Sequence, residues 1–459
     1  MGVKKIGKTL SPFAIVALSA ALVAGCGTTT TNQTASSGNN SSPSNNAQSS
    51  STSDKGPLKI IMWVNPPAVA AVKKINSEFE QKYGVQVQLQ TTANDTAGYQ
   101  TAQQTAVQAG TADIMAIQPF NPMPQKMTSN NMTNVQQWAA NNVFMPLNNE
   151  PWVANFSASD LGAAAYNGKD YGMVTGVYQT GLFYNKDIFA KYNLQPPTTY
   201  NEFVNVSNVL KSHGVTPVWT GLAGGATLYV QFMMDPFMQS LLAPTLGDAS
   251  ASAALASGKV KWTDPAMIKA FQREQNFAKN YLEPNYAGEN WQQMPGDFAA
   301  GKAAMLLDGS WDLSSVLQAN PKMQIGYFPI PGSNTASNNQ SIANPDLTWV
   351  VLNNSKHKAL AEEWLNFFAS KDIYNQYVQM TGISPSEQGT YTSATATIMG
   401  KWFGTGRVIS QTPDWMIPSG PYYLQPTNFW NEQLKMLQGG ITPDKLAQEY
   451  QQSQDQASK

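Results

Sequence analysis

Flat rings beside amide and carboxyl side chains recur in this chain where predicted strands end. Trp63 follows an apolar run from residue 58 and is itself followed by Asn65. Gln118 follows the run 113–117, Trp219 lies near the end of 216–220, and Trp311 and Asp312 sit in a Gly309-Ser310-Trp311-Asp312 turn after 303–307. Rings can stack on the apolar C–H faces of a sugar while amides and carboxyls engage its hydroxyls. Open α/β sheets bind ligands beyond the carboxyl ends of their strands. Each residue also has a structural alternative. Most of the 12 Trp and 18 Tyr must fill cores, Gln118 could satisfy a turn, and Asp312 could cap the helix that follows it. Asp308 and Asp346 are weaker acids of the same type. Trp364 belongs to a helical stripe with Leu360, Phe367 and Phe368 and is assigned to packing.

Other chemistries lack their residues. With one Cys and two His (His213 and His357), no intramolecular disulfide can form and a His/Cys metal site is nearly excluded. Neither metal nor cofactor is expected. No P-loop, H-E-x-x-H or G-x-S-x-G motif occurs. Only 12% of residues are charged, with 28 basic against 29 acidic, so the chain lacks the basic clusters that nucleic acid requires. The same scarcity favours an uncharged ligand.

The first residues read as an export signal. Lys4, Lys5 and Lys8 precede an apolar run over 10–23, then small residues and Cys26. Residues 27–56 are almost wholly Thr, Ser, Asn, Gly, Gln and Ala, too polar to bury a core, and read as a tether.

The folded body follows. Residues 58–64 read as a buried strand. Val72, Ile75, Phe79 and Tyr83 mark one helix face, closed by Gly84, and residues 85–90 alternate as a strand. A helix over 99–109 and the strand 113–117 complete a β-α-β-α-β rhythm, which implies parallel strands with helical crossovers. The rhythm resumes with a strand at 181–185 and a capping box of Thr199 with Glu202. Strands at 216–220 and 303–307 follow, with Asp264-Pro265 starting a helix between them. The tail at 429–437 and 443–452 reads helical.

Four segments in order resemble family 1 extracellular solute-binding proteins, the sugar-binding lipoproteins of ABC importers. They are residues 108–114; Tyr171-Gly172-Met173-Val174 with 181–189; Pro196-Pro197-Thr198-Thr199 through Phe203; and 298–305 with Asp308-Gly309-Ser310-Trp311. The helix 359–368, Gly382 and Pro385 complete the pattern. The resemblance implies an α/β, two-lobed periplasmic-binding-protein-like fold with three hinge crossings and a ligand cleft between the lobes. Crossings are expected near 173–178, 344–350 and 382–390. The expected division is a signal peptide at 1–25, lipidated Cys26 with its tether at 26–57, a first lobe of 58–174 plus 350–385, and a second of 175–349 plus 386–459. Val23-Ala24-Gly25-Cys26 resembles a lipobox, which implies lipid on Cys26 and two acyl chains for stable anchoring. The resemblance places Tyr178 and Gln179 at the cleft, gives Trp311 a stacking role, and offers Trp349 and Trp415 as further platforms. It implies a monomer, anchored on the extracytoplasmic face of the cell membrane through Cys26. That monomer would bind a neutral sugar or oligosaccharide by hinge closure and deliver it to the transmembrane subunits of an ABC permease.

No enzymatic activity is expected. A secreted glycoside hydrolase would need two carboxylates flanking the scissile bond, such as Asp308 with Asp312 or Glu289. The same scaffold could instead bind a polyol, glycerol-phosphate or a peptide. With so few ionisable groups, stability is expected to vary weakly with pH, which would suit an acidic habitat.

Overall fold

The computed structural model describes residues 56–92, 96–120, 134–224, 227–247, 249–404, 407–408 and 426–457. All of these lie in one unit, Ser53–Lys459. No helix among the described residues is long and apolar enough to cross a membrane.

Fourteen strands occur among the described residues: β1 (Leu58–Trp63), β2 (Val87–Thr92), β3 (Ile114–Ile117), β4 (Ala165–Tyr166), β5 (Lys169–Asp170), β6 (Gly172–Val174), β7 (Gly176–Asn185), β8 (Val218–Trp219), β9 (Met305–Gly309), β10 (Ile325–Phe328), β11 (Ile342–Pro345), β12 (Thr348–Val351), β13 (Ser384–Pro385) and β14 (Arg407–Val408). They build two main sheets, one per lobe, and the small β4–β5 pair.

The first lobe's sheet runs β2-β1-β3-β12-β6. β1 pairs in parallel with β2 and β3, while β12 runs antiparallel to β3 and β6. The near-continuous apolar run of β1 suits a strand covered on both faces, and five of its six residues are buried. Helix Pro66–Tyr83 connects β1 to β2. Asn65 accepts from the Ala68 N–H at its start, prolines occupy its first turn, and Gly84 ends it in the left-handed region at φ 69°. Its buried stripe of Val72, Ile75 and Phe79 joins Trp349, Trp364, Phe368, Tyr374 and Tyr377 in one core.

The second lobe's sheet has β7 as its spine. β9 and β13 lie along one side of β7, and β10 and β11 along the other, all antiparallel to it. Around it lies a core that includes Phe183, Phe203, Phe237, Trp262, Phe271, Phe277, Phe429 and Tyr450. Helix Gln231–Leu246 is buried on nearly all sides despite Pro236 and Pro244. The capping box forms: Thr199 accepts from the Glu202 N–H and Glu202 reaches back. Asp264 does precede a helix with Pro265 at its start, but its carboxylate accepts from the Lys261 N–H at 2.9 Å instead of from the helix.

The chain crosses between the sheets at Thr175, between β6 and β7, and at Asp346-Leu347, between β11 and β12. These two crossings are bonded together. The Thr175 hydroxyl and N–H both donate to Leu347 O, at 2.6 and 3.0 Å, and the Asp346 N–H donates to Gly176 O at 2.7 Å. A third link is β13, which pairs with the first residues of β7. Tyr374, fully buried, ties it in. Its hydroxyl donates to Thr175 O at 2.6 Å and accepts from the N–H of Ser386 at 2.8 Å and of Glu387 at 3.3 Å. Two boundaries differ from the sequence expectation. Thr348 and Trp349 belong to the first sheet, because β12 pairs with β3 and β6. Residues 386–388 stay against the first lobe, bonded to Asn155 and Ser157.

Candidate functional site

The turn that ends β9 gathers the densest set of rings and acids at an edge of the second lobe. β9 pairs with β7 so that Gly309 lies opposite Thr180, which brings Tyr178 and Gln179 beside Ser310 and Trp311. The Gln179 N–H donates to Ser310 Oγ at 3.2 Å. The Trp311 ring lies directly over Gly309, where any Cβ would overlap its six-membered ring. Tyr178 meets Trp311 edge-on, with centroids 5.0 Å apart, and Phe232 and Tyr229 surround it at 5.6 and 6.1 Å. Trp311 keeps 9% of its surface exposed and Tyr178 5%. Helix Leu313–Ala319, which follows the turn, approaches helix Pro66–Tyr83 of the first lobe.

Two acids complete this set. Asp308 has no exposed surface and Asp312 is 3% exposed. The Asp308 carboxylate accepts from the Gly309 N–H at 2.7 Å, and Asp312 accepts from the Trp311 indole N–H at 3.1 Å. Burial pushes the Asp312 carboxyl up to about 7, against the smaller pull of its bonds to Asp308 and Trp311. Burial, reinforced by the Asp312 charge, holds Asp308 well above the usual carboxylate range. Burial, then the two acids, hold the Tyr229 phenol well above its ordinary value. Asp312 precedes helix Leu313–Ala319 without bonding to it, so the capping alternative fails and the carboxyl serves the indole.

The other sequence candidates take different positions. Gln179 is an internal brace. Its amide donates to Ser341 Oγ at 3.0 Å and Trp402 O at 2.6 Å and accepts from the Gly404 N–H at 2.9 Å, which saturates it without a ligand. Trp349 has no exposed surface and packs edge-on against Trp364 at 5.2 Å. It is a core residue of the first lobe, not a platform. Trp63 is also largely buried, edge-on to Tyr99 at 5.4 Å, at the carboxyl end of β1. Asn65 beside it is committed to capping. Gln118 is exposed just past β3. Trp219 is half-buried on β8, and the Lys302 ammonium lies 5.2 Å from its ring centroid, which covers one face. Asp346 lies at the second crossing, where burial pushes its carboxyl up to about 6. Glu289 lies with Glu283 and Lys302, apart from the acid pair. Trp415 and Cys26 lie outside the described residues. Sequence reasoning missed Tyr229 and Phe232; the only signal was an apolar-aromatic run after Gly224-Gly225.

Among the described residues, no group of three or more His, Cys, Asp and Glu could hold a metal ion. Asp308 and Asp312 both lie at the end of β9 and in the turn after it, whereas glycoside hydrolysis needs two carboxyls on opposite sides of a bond.

A family model described as bacterial extracellular solute-binding protein matches residues 65–374. The multiple sugar-binding protein of Streptococcus mutans serotype c is 25% identical over 329 residues, 70% of this chain and 73% of that relative. The maltodextrin-binding protein MdxE of Bacillus subtilis is 25% identical over 228 residues, covering 47% of this chain and 50% of that relative. Among solved structures, the SBP RafE in complex with raffinose superposes with a TM-score of 0.72 at 19% identity, covering 88% of this chain and 100% of that one. A chitin oligosaccharide binding protein superposes equally, at 0.72 and 21% identity over 87% and 99% of the two chains. The structures share the two-lobed fold.

Proposed function

Since the chain belongs to the bacterial extracellular solute-binding protein family, we propose that it binds a neutral sugar or oligosaccharide in the cleft and delivers it, intact, to an ABC permease. The observation that carries this reading is the Trp311 turn. It gathers an indole, a phenol and a carboxyl, with no fixed cation acting on the acids among the described residues. Rings beside hydrogen-bonding side chains suit the alternating C–H and O–H surface of a carbohydrate. Trp63 and Gln118 at the ends of β1 and β3 would face the same ligand from the first lobe. The proteins it resembles are named for sugars of different kinds, which supports the class and leaves the individual sugar to experiment.

Isothermal titration and thermal shift with raffinose, maltotriose, chitotriose and xylotriose test the proposal, because a ligand that binds only the folded state raises its melting temperature. Trp311→Ala should weaken the bound sugar at least about tenfold, from the ~1.5–3 kcal/mol that burying a large apolar side chain is worth. Unchanged affinity would remove Trp311 from the site. Turnover of any of these sugars would replace the binding reading with a hydrolase. Binding of glycerol-phosphate, a polyol or a peptide instead would replace the ligand class.

The same proposal places the protein on the outer face of the cell membrane, held by lipid on Cys26 with 27–56 as its tether. Cys26→Ala should move it from the membrane fraction into the medium or periplasm. Retention in the membrane would exclude lipid at that residue.

A further inference from the structure

We infer that Asp308 and Asp312 hold one proton between them and that this proton locks the Trp311 turn, so that sugar capture falls away when the proton is lost. The ligand in this inference rests on the sugar-binding reading above; the proton itself does not.

The geometry leaves the pair no other partner of opposite charge. Both carboxyls are buried, they flank Trp311, and each acts on the other's titration. Asp308 Oδ1 takes the Gly309 N–H and Asp312 Oδ2 takes the Trp311 indole N–H. Asp308 Oδ2 meets no donor among the described residues. Two carboxylates in contact inside a low-dielectric wall cannot both ionise, and a shared proton turns their repulsion into a hydrogen bond.

Every titratable or charged group acting on the pair is accounted for among the described residues. β9 and the turn after it supply Asp308 and Asp312. β7 supplies Tyr178, and the turn Thr227–Val230 supplies Tyr229, both of them phenols. Helix Gln231–Leu246 presents the uncharged Phe232. Thr180 on β7 and Thr220 after β8 are neutral hydroxyls. No lysine, arginine or histidine acts on either carboxyl.

Loss of the proton sets two negative charges against each other. Asp312, beyond the paired strand, yields first, since Asp308 sits inside β9 and is held by its pairing with β7. Asp312 swings out and, through its bond to the indole, draws Trp311 off Gly309. Asp308 is therefore a positioning residue: it acts on the ligand only through Asp312 and Trp311. The raised titration of Asp312, about 7, agrees with this arrangement.

The test uses the purified protein, with and without raffinose. Difference infrared spectra should show a protonated-carboxyl C=O band that disappears in Asp308→Asn and bleaches as pH rises. The near-UV circular dichroism of Trp311, identified by its loss in Trp311→Phe, should change over the same interval. In wild type, raffinose affinity should fall about tenfold per pH unit above that interval, the slope for one linked proton. Asp308→Asn keeps an N–H donor toward Asp312 and should flatten the slope. If that variant does not fold, Asp312→Asn replaces it in the infrared and dichroism measurements. A band untouched by either substitution, or a Trp311 signal constant across the interval, overturns the inference. So does a slope that survives in Asp308→Asn. Absence of binding by raffinose, maltotriose, chitotriose and xylotriose at every pH would count against the sugar reading, and the infrared band would still decide the shared proton.

Discussion

Replacing Tyr374 by Phe deletes one oxygen and tests whether the hinge is held by side-chain chemistry. That oxygen makes a 2.6 Å bond to Thr175 O in the first crossing and receives the Ser386 N–H at 2.8 Å beyond the third link. The Glu387 N–H at 3.3 Å is a weaker third contact. The ring stays, with its edge-on packing against Phe156 and Phe368, so no cavity of consequence forms. Each buried polar group left without a partner costs roughly 1–3 kcal/mol. Counting the two strong bonds, and allowing for partial relaxation, Tyr374→Phe should destabilise the first lobe by about 2–4 kcal/mol. Urea unfolding followed by tryptophan fluorescence reads this as a lower midpoint with unchanged slope. Because the lost bonds join two crossings, small-angle scattering should also show a larger radius of gyration in the sugar-free variant. A destabilisation under about 0.5 kcal/mol would mean that the crossings are held by their strand pairing alone, and the reasoning would fail.

Further outcomes follow from other sites. Gly309→Ala sets a Cβ against the Trp311 ring and should displace it, changing the near-UV dichroism and weakening sugar binding at least about tenfold; a wild-type spectrum would show that the ring does not depend on that glycine. Thr199→Ala removes the capping hydroxyl at helix Tyr200–Ser212 and should cost about 1 kcal/mol in urea unfolding; no change would mean that Glu202 alone holds the helix start. Stability should fall as pH rises. Burial lifts the carboxyls of Asp346, Asp312 and Asp235 to about 6, 7 and 8, all above the roughly 3.9 of an unfolded Asp. The folded state therefore holds more protons between those limits, and the contribution of these groups is complete below about pH 4. It is then lost as pH climbs through about 6, 7 and 8. A melting temperature highest near pH 8 would refute this.

That expected profile runs against the sequence reading of weak dependence, and the melting curves decide between them. Counting charges showed how few ionisable groups there are, but not that several of them are buried without counter-ions. Local patterns were legible where one face meets the core: the stripe of helix Pro66–Tyr83, its Gly84 stop, and the Thr199–Glu202 box all form. Helix Gln231–Leu246 escaped notice because it is buried on nearly every side, which erases the 3.6-residue contrast. At the site, the turn after β9 could be found from its sequence, since a strand end followed by Gly-Ser-Trp-Asp is a local feature. Tyr229 and Phe232 could not, because their place beside Trp311 is set by packing between distant segments. Gln179 and Trp349 erred for the complementary reason. Residue type named them as binders, whereas hydrogen bonding and burial by remote parts of the chain had already used them.

β7 has a consequence for the order of loading. Its first two residues pair with β13, its next two stand beside the Trp311 turn, and its remainder is locked into the second sheet. A strand anchored along most of its length cannot travel with the opposite lobe. Tyr178 thus sits three residues from the Thr175 crossing, where any turning of the halves would displace it least. A guest resting against Tyr178 and Trp311 would keep that footing whether the jaws gape or shut, so arrival would begin on the second half and the first half would come down afterwards.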